Sequence, residues 1–539
     1  MTNQIKINGD QLRVVFSRYD LDGYRLFLRT KLLPEYHLDY DWKRNEYTLT
    51  APARLAPMMG LEPVNTERES LPLAGHLFDY QAFIVRTALE ARRYAVWADT
   101  GLGKTAIFLE WARQVAHRTG GRVLIVSPLN IIPQTAGEAA KFYGDALPLE
   151  RIHTKADMRQ WCRLPGQGIG ITNYEKFIPA RGEEEVVSEL RYCAGLVLDE
   201  SSILKSGGGT IKWALIKSAR GIQYKLSCTA TPAPNDTMEY ASQAGFLEKL
   251  RNEGEILWTY FKRDKSGEWK VKEHARPAFY RFMAGWSVYL RQPARYGFAD
   301  NLKGLPAPDF RRYNLAVTPE QRAAVSHVPD DDGQIQMFAA PKVGITQRSK
   351  WSQIAKGFIY ADGRTERIDS VKPGFVADLV RQDTVDGLQV LVWTVFDAES
   401  AIICEELERR GVQPSCLSGS DPVDRRAEIL DAFRTGAVQV LVSKASLLGY
   451  GMNFQHCGSM VFSGFDDSYE RFYQAVRRAY RYGQARSVRV HIPIVTELEG
   501  VIWRNLQDKA ARFDQDTAAM EANYIEAMRE VLPGLRKAG

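Results

Sequence analysis

The sequence predicts an α/β protein with two tandem parallel-sheet lobes, a helical region between them and a small β-containing module in front. Three observations carry this. Short apolar, β-branched runs without polar alternation recur at Val123–Val126, Gly168–Ile171 and Gly195–Leu198, and again at Val390–Trp393, Val438–Val442, Ser459–Phe462 and Val488–Ile492. Strands buried on both faces of a parallel sheet require runs of that kind. Each series is interleaved with helix-like stretches such as Ala398–Arg410 and Pro422–Arg434, the alternation expected of an α/β domain. Finally, 539 residues exceed what one core can organise and imply about three or four domains.

In chain order, residues 1–70 hold short apolar stretches, Leu12–Phe16 and Tyr24–Leu28, between polar breaks, and read as a small accessory module with β-strands. The first α/β lobe is expected over 71–245. Residues 246–380 are rich in Lys, Arg and aromatics and poor in strand signals, so a helical inter-lobe region is expected there. The second lobe follows over 381–498 and a helical tail over 499–539. Within the inter-lobe region, Asp264 through Glu268-Trp269-Lys270 faintly matches a metal-dependent nuclease pattern, but its polar Lys-Ser-Gly turn reads as a surface loop.

Composition excludes several classes. The hydrophobic, aromatic and charged fractions are ordinary, which argues against long disorder or a fibrous repeat. A balance of 71 Lys+Arg against 65 Asp+Glu permits a phosphate-rich partner without requiring one. The six cysteines have no metal-site spacing, and reduced thiols in a cytoplasmic setting are expected. The amino terminus lacks a basic start followed by an apolar run, and no window approaches the about eighteen apolar residues of a membrane span.

The segment Ala98-Asp-Thr-Gly-Leu-Gly-Lys104-Thr105 follows a predicted strand at Tyr94–Trp97 and opens a predicted helix running to about Arg118, the context a phosphate-binding loop needs. Gly101, Leu102 and Gly103 would turn backbone N–H groups toward phosphate oxygens, Lys104 would reach the β and γ phosphates, and Thr105 would hold magnesium. The run Leu196-Val-Leu-Asp199-Glu200 delivers two carboxylates at a strand end. Asp199 is placed on the magnesium through water and Glu200 as the general base for the attacking water. ATP and magnesium are therefore the expected ligands.

In the second lobe, Gln474-Ala-Val-Arg-Arg478-Ala-Tyr-Arg481-Tyr-Gly-Gln484 reads as a helix with Gln474, Arg478 and Arg481 on one face. Two guanidinium groups pointing into a cleft would stabilise charge developing on the γ-phosphate. Supplied from a second lobe, they would make hydrolysis depend on lobe closure.

With these residues in place, the chain resembles superfamily-two helicases and, more closely, the Swi/Snf-type DNA translocases, in a form similar to those encoded by bacteriophages. The resemblance covers about 75–495 and implies two RecA-like lobes. By it, Gln81 in Phe78-Asp-Tyr-Gln81 reads adenine, and Ser127 and Thr172 lie at strand ends that hold one DNA backbone. Ser227, Thr229 and Thr231 belong to the motif coupling hydrolysis to movement, Gly451 lies in the second-lobe glycine motif, and Arg478 and Arg481 are arginine fingers. The order Tyr289-Leu-Arg291, Leu305-Pro306, Thr318-Pro-Glu-Gln321, and an arginine segment ending in Gly483-Gln484, resemble the duplex-DNA branch. Double-stranded DNA is therefore the partner implied.

Two departures stand out. Ser201-Ser202 follow Asp199-Glu200 where the family usually has a small residue and a histidine, so a serine hydroxyl must link the magnesium site to the coupling motif. The strand end Val442-Ser-Lys444 lacks the usual Thr-Arg, and the phosphate grip there falls to Lys444. Two alternatives share the catalytic residues: a strand-separating DNA or RNA helicase, and an ATP-timed DNA-binding adaptor with little translocation.

Overall fold

The computed structural model describes residues 4–8, 11–17, 21–30, 33, 36–61, 68–179, 186–205, 210–230, 232, 239–250, 253–263, 269–299, 306–326, 345–361, 364–448, 453–466, 468–481, 484 and 486–531. At the front, β1 (Gln4–Asn8), β2 (Gln11–Phe16), β3 (His37–Asp41) and β4 (Glu46–Pro52) form an antiparallel sheet in the order β1-β2-β4-β3. Period-two alternation in β2 buries Leu12, Val14 and Phe16 on one face. The stretch Tyr24–Leu28 is not a strand: it lies in a helix, Leu21–Thr30. Leu26 and Phe27 of that helix pack on the module's core with Leu49 and Met59, a helical rather than an alternating arrangement.

The first lobe is a seven-stranded parallel sheet. Its strands are β5 (Arg93–Ala98), β6 (Arg122–Ser127), β7 (Leu149–Arg151), β8 (Gly168–Asn173), β9 (Gly195–Asp199), β10 (Tyr224–Thr229) and an edge strand, Ser287–Leu290, in the order edge-β5-β10-β9-β6-β8-β7. β6 and β9 are buried throughout, as their apolar runs predict, and β10 is buried throughout although its sequence, Tyr-Lys-Leu-Ser-Cys-Thr, is not an apolar run. Between β10 and the edge strand, β11 (Phe261–Arg263) and β12 (Trp269–Val271) form a separate antiparallel hairpin; the edge strand is β13.

The second lobe is a six-stranded parallel sheet. Its edge strand is β14 (Asp309–Leu315); a small antiparallel pair, β15 (Phe358–Ala361) and β16 (Arg364–Arg367), precedes the remaining strands. Those are β17 (Val390–Thr394), β18 (Pro414–Leu417), β19 (Val440–Lys444), β20 (Ser459–Phe462) and β21 (Arg489–Val495), in the order β14-β21-β20-β17-β19-β18. Its core runs on both faces of the sheet, with Trp393, Phe433, Phe454 and Phe462 on one side and Val376, Val392 and Leu407 on the other.

Besides its helices, the stretch 246–380 contributes an edge strand to each sheet. β13 pairs with β5, and β14 pairs along its whole length with β21, so the chain divides into two units near residue 299. The first is 1–99 with 103–299 and 523–539, and the second is 100–102 with 300–522. The helix Thr496–Val531 begins in the second unit, and its last turns belong to the first. There Tyr524 is fully buried, its hydroxyl 2.6 Å from Ser287 Oγ and 3.3 Å from the Met283 carbonyl.

Cysteine chemistry also departs from expectation. Cys404 and Cys416 form a disulfide between the helix Asp397–Arg409 and β18, while Cys162, Cys193, Cys228 and Cys457 are buried thiols. Helix-on-strand packing brings the pair together, which no spacing rule reports. Among the described residues, no helix is long and apolar enough to cross a membrane.

A buried ion triad holds the second unit's periphery to its sheet. Glu499 accepts from Lys356 Nζ at 2.7 Å and from Lys372 Nζ at 2.6 Å, and all three side chains are about 1% exposed. Burial pulls the Lys372 ammonium down to about 8, against the opposing pull of Glu499. Removing the shared anion would leave two ammonium groups buried without compensation. Glu499→Gln should therefore cost about 3–5 kcal/mol; a urea-unfolding midpoint unchanged from the parent chain would refute the triad's role.

Candidate nucleotide site

β5 ends at Ala98 and a helix begins at Lys104. Between them Gly101 and Gly103 hold φ of 88° and 71°, the left-handed region that glycine enters without strain. At Gly103 a side chain is excluded twice over, because a Cβ would lie 2.3 Å from Gln81 Nε2. Gln81 is buried; its Oε1 accepts from the Phe78 N–H at 3.0 Å, fixing the start of the helix Asp79–Ala91. The Gln81 amide thus faces the loop while its oxygen caps a helix. Leu102 is buried, Thr105 follows in the helix's first turn, and Lys104 Nζ donates to the Ala98 carbonyl at 2.9 Å.

The acidic pair stands two strands away. β10 lies between β5 and β9, with Thr229 beside Trp97 and Cys228 beside Asp199. β10, which carries Ser227 and Thr229, is therefore the direct neighbour of both the phosphate-loop strand and the acid strand. Asp199 and Glu200 are only 5% and 7% exposed. Ser127 Oγ donates to Asp199 Oδ2 at 2.8 Å, and the Tyr174 hydroxyl donates to the Asp199 main-chain oxygen at 2.6 Å. Glu200 adopts φ 52°, a left-handed conformation that costs a non-glycine residue on the order of 1–3 kcal/mol and concentrates at functional sites. Its Oε2 is buried with no hydrogen-bond partner.

Burial, and next the Glu200 charge, push the Asp199 carboxyl up to about 7, against Ser127 and Lys104. Adjacent buried carboxylates with an unpaired oxygen suit a cation and a reactive water. Among the described residues no group of three or more His, Cys, Asp or Glu could hold a metal unaided, so phosphate and water oxygens must complete any shell, as is usual for magnesium. Thr105 and Asp199 are the residues that would hold the ion, which when bound neutralises charge on the phosphates.

Ser201 links the end of the acid strand to β10. It is buried, with its Oγ 2.9 Å from Ser227 Oγ on β10. Gln243, from the helix Glu239–Phe246, closes the triangle: its Nε2 donates to Ser201 Oγ at 3.1 Å and to the Ser201 carbonyl at 3.3 Å, and its Oε1 meets the Ser227 hydroxyl. Ser202 hydrogen-bonds only to the nearby Glu200 carbonyl, at 3.5 Å. Thr229 is buried on β10; Thr231 lies outside the described residues.

Other expected contacts are placed differently. Ser127 and Thr172 are fully buried, with hydroxyls turned to Asp199 and to the Ile152 carbonyl (3.1 Å), so any backbone grip at those strand ends falls to neighbouring groups. Lys444 is ion-paired with Asp397 at 2.7 Å and would have to exchange that carboxylate for a phosphate. Gly451 and Gly483 lie outside the described residues.

Gln474 is buried in the helix Tyr469–Val476, but the helix stops there. Arg478 and Arg481 lie on the following turns, where N–H groups reach back to Ala475 and Ala479 carbonyls, so the three do not share one continuous helical face. The cause is local. The Arg478 carbonyl accepts from Phe454 N at 2.9 Å, and Gln484 Nε2 donates to the Cys457 carbonyl at 3.0 Å. These bonds fold the arginine segment onto 453–457 instead of extending the helix.

Comparison with known proteins accords with this geometry. Residues 78–239 match the DEAD/DEAH box helicase family, and residues 372–483 match the helicase conserved C-terminal domain. It is a helicase-family ATPase. The chain is also 23% identical over 472 residues to putative protein p41 of Acyrthosiphon pisum secondary endosymbiont phage 1, covering 82% of this chain and 98% of that one. A solved structure of the Sulfolobus solfataricus SWI2/SNF2 ATPase core in complex with dsDNA aligns over 86% of this chain and 98% of that one, at 20% identity and a TM-score of 0.39.

For a helicase-family ATPase, two site residues are ones that sequence reasoning missed. Tyr174 looked like part of a DNA-facing strand end, and only the fold brings its hydroxyl to Asp199. Gln243 carries no motif; it is a buried glutamine flanked by the small residues Ala241, Ser242, Ala244 and Gly245 of its helix.

The raised Asp199 pKa gives a signed prediction. Magnesium requires the ionised carboxylate, and a proton occupies it below about pH 7. The apparent magnesium affinity measured with ATP present should fall about tenfold per pH unit below 7 and level off above it. An affinity flat from pH 6 to 8 would overturn the assignment.

Proposed function

We propose that the chain is a DNA-dependent ATPase of the Swi/Snf type, which translocates along double-stranded DNA. The observation that carries this reading is the Ser201–Ser227–Gln243 triangle. It ties the strand bearing the magnesium-site and general-base carboxylates to the strand that leads into the coupling motif. A protein using ATP only as a timer has no need for a buried hydrogen-bonded path from its acids toward a nucleic-acid-facing segment. The duplex-DNA choice draws on Gln484 and on the landmarks Tyr289-Leu-Arg291 and Thr318–Gln321. In the latter, Thr318 and Gln321 cap a helix reciprocally and Gln321 Nε2 reaches the Ile354 carbonyl at 2.9 Å.

In this reading Lys104 and Thr105 hold the phosphates and magnesium with Asp199. Glu200 takes a proton from the attacking water, and Gln81 reads the base. Gln474, Arg478 and Arg481, supplied by the second unit, stabilise charge developing on the γ-phosphate, so turnover depends on their arrival. The cycle is a shift between two populations, biased by the extra contacts ATP makes in one of them.

Displacement of a third strand from duplex DNA, with and without ATP, tests translocation: release that needs ATP and a duplex track is expected. Stimulation by RNA or single strands with no triplex displacement would replace this reading with a strand-separating helicase. Stimulation without any movement would replace it with an adaptor. Arg481→Ala should bind ATP normally yet hydrolyse it on the order of a thousandfold more slowly; normal DNA-stimulated turnover in that variant would remove it from the site. Gln243→Ala should keep basal turnover and lose most of the stimulation by DNA, and equal stimulation in variant and parent would show the triangle is not the coupling path.

A further inference from the structure

The Asp264–Glu268 stretch that raised the nuclease pattern lies outside the described residues, whereas the phosphate loop is described and divides between the two units. Thr100–Leu102 group with the second unit, Asp99 and Gly103 with the first. Within the second unit, Thr100 is held by Arg477. The Arg477 Nε donates to Thr100 Oγ1 at 3.0 Å, and its Nη2 donates to the Thr100 carbonyl at 3.2 Å. Both residues are buried, at 6% exposure for Thr100 and 9% for Arg477.

A planar guanidinium making two bonds to one residue fixes direction as well as distance. The rings of Tyr473 and Tyr480 lie 5.8 and 5.2 Å from it, close enough for cation–π contacts from its own segment. Periodicity sets Arg477 off the face expected to carry Gln474, Arg478 and Arg481. It is instead the C-cap of the helix Tyr469–Val476, where a cation is favourable whatever it touches. That general preference asks for no particular partner, and the fork on Thr100 is a specific one.

The carbonyl is the partner that matters. A trans peptide is planar, with its C=O and the next N–H on opposite sides. Holding the Thr100 carbonyl therefore sets the direction of the Gly101 N–H, one of the donors expected to face phosphate. Gly101 has φ 88°, and glycine accepts either sign of φ, so its own backbone does not stop this peptide from turning over. Turned over, the peptide would present a carbonyl oxygen to the phosphates in place of an N–H, and like partial charges would repel. We infer that Arg477 is a positioning residue for the nucleotide: by gripping Thr100 it keeps the Thr100–Gly101 peptide turned so that the Gly101 N–H serves a phosphate of ATP. Its contact is with the loop and not with the nucleotide. The inference rests on the reading of Ala98–Thr105 as the ATP site. It gives Arg477 a part in ground-state binding, distinct from the transition-state part proposed for Arg478 and Arg481.

The test measures binding of a fluorescent ATP analogue to the full chain, together with steady-state turnover. Arg477→Ala should raise the dissociation constant and the KM for ATP roughly tenfold, the worth of about one charge-assisted hydrogen bond, while kcat at saturating ATP stays within about twofold of the parent's. A transition-state arginine gives the opposite pattern, slow turnover with nearly normal binding. Arg477→Lys keeps the charge and most of the stem but not the fork, so it should unfold at the parent's temperature and still bind ATP several-fold more weakly. Thr100→Ser keeps both acceptors and should behave as the parent. Thr100→Val loses the hydroxyl, and the double variant Arg477→Ala, Thr100→Val should bind ATP no more weakly than Arg477→Ala alone, because residues acting through one contact are not additive. Unchanged binding and KM in both Arg477 variants would overturn the inference, as would a loss confined to kcat or effects that simply add in the double variant. Lys104→Ala separates the two readings. If it loses ATP binding while the Arg477 variants bind as the parent does, the inference falls and the ATP site stands; if it binds ATP as the parent does, both fall together.

Discussion

Two adjacent carboxylates, Asp199 and Glu200, are held almost out of water, and much of the first unit is arranged around that burden. Ionised groups in such a place destabilise a fold unless they are paired, hydrogen-bonded or protonated. Ser127 gives a hydroxyl to the Asp199 carboxylate while Tyr174 gives one to its main-chain oxygen, Lys104 supplies a nearby positive charge, and burial still pushes the Asp199 carboxyl up to about 7. One Glu200 oxygen receives nothing at all. The site is thus more complete with a cation and a water than without them, and taking up magnesium entails releasing a proton.

Sheet order turns this local burden into a device. Because β10 lies between the loop strand and the acid strand, the proposed coupling between phosphates and nucleic acid would run through one strand. The path is polar and buried. Ser201, Ser227 and Gln243 are each 1% exposed or less, so losing any one leaves the others unsatisfied in a low-dielectric interior, where such losses are costly. A serine and a glutamine, neither ionisable, stand where the family usually has a histidine. The link accordingly should not titrate in the physiological range, unlike the acid it serves.

Sequence made the buried strands β6, β8 and β9 legible because they are covered on both faces, and continuous apolar runs report that directly; β10, equally buried, reads Tyr-Lys-Leu-Ser-Cys-Thr and gives no such signal. Edge strands were illegible for the same reason. β14 reads Asp-Phe-Arg-Arg-Tyr-Asn-Leu and is mostly exposed, so it lacks the apolar run, and its loss made the region between the sheets look helical. The phosphate loop and the acid pair were readable from local chemistry, whereas Gln81 came only from the resemblance to the family. Tyr174 and Gln243 were not readable, since their roles exist only after residues distant in sequence meet. The arginine segment failed in a third way: periodicity predicts a continuing helix, and tertiary bonds from Phe454 and Gln484 end it at Val476.

The helix Thr496–Val531 has a topological consequence. Because its last turns belong to the first unit, with Tyr524 buried beside Ser287, the polypeptide passes between the units near residue 299 and again near 522, in addition to the short segment 100–102 that groups with the second unit. The second unit is in effect a long insertion within the first, with both of its ends fastened. A segment fastened at both ends has fewer open arrangements than one linked only once. Nicking the chain between β13 and β14 would leave that second connection intact, with the two pieces still joined through one helix.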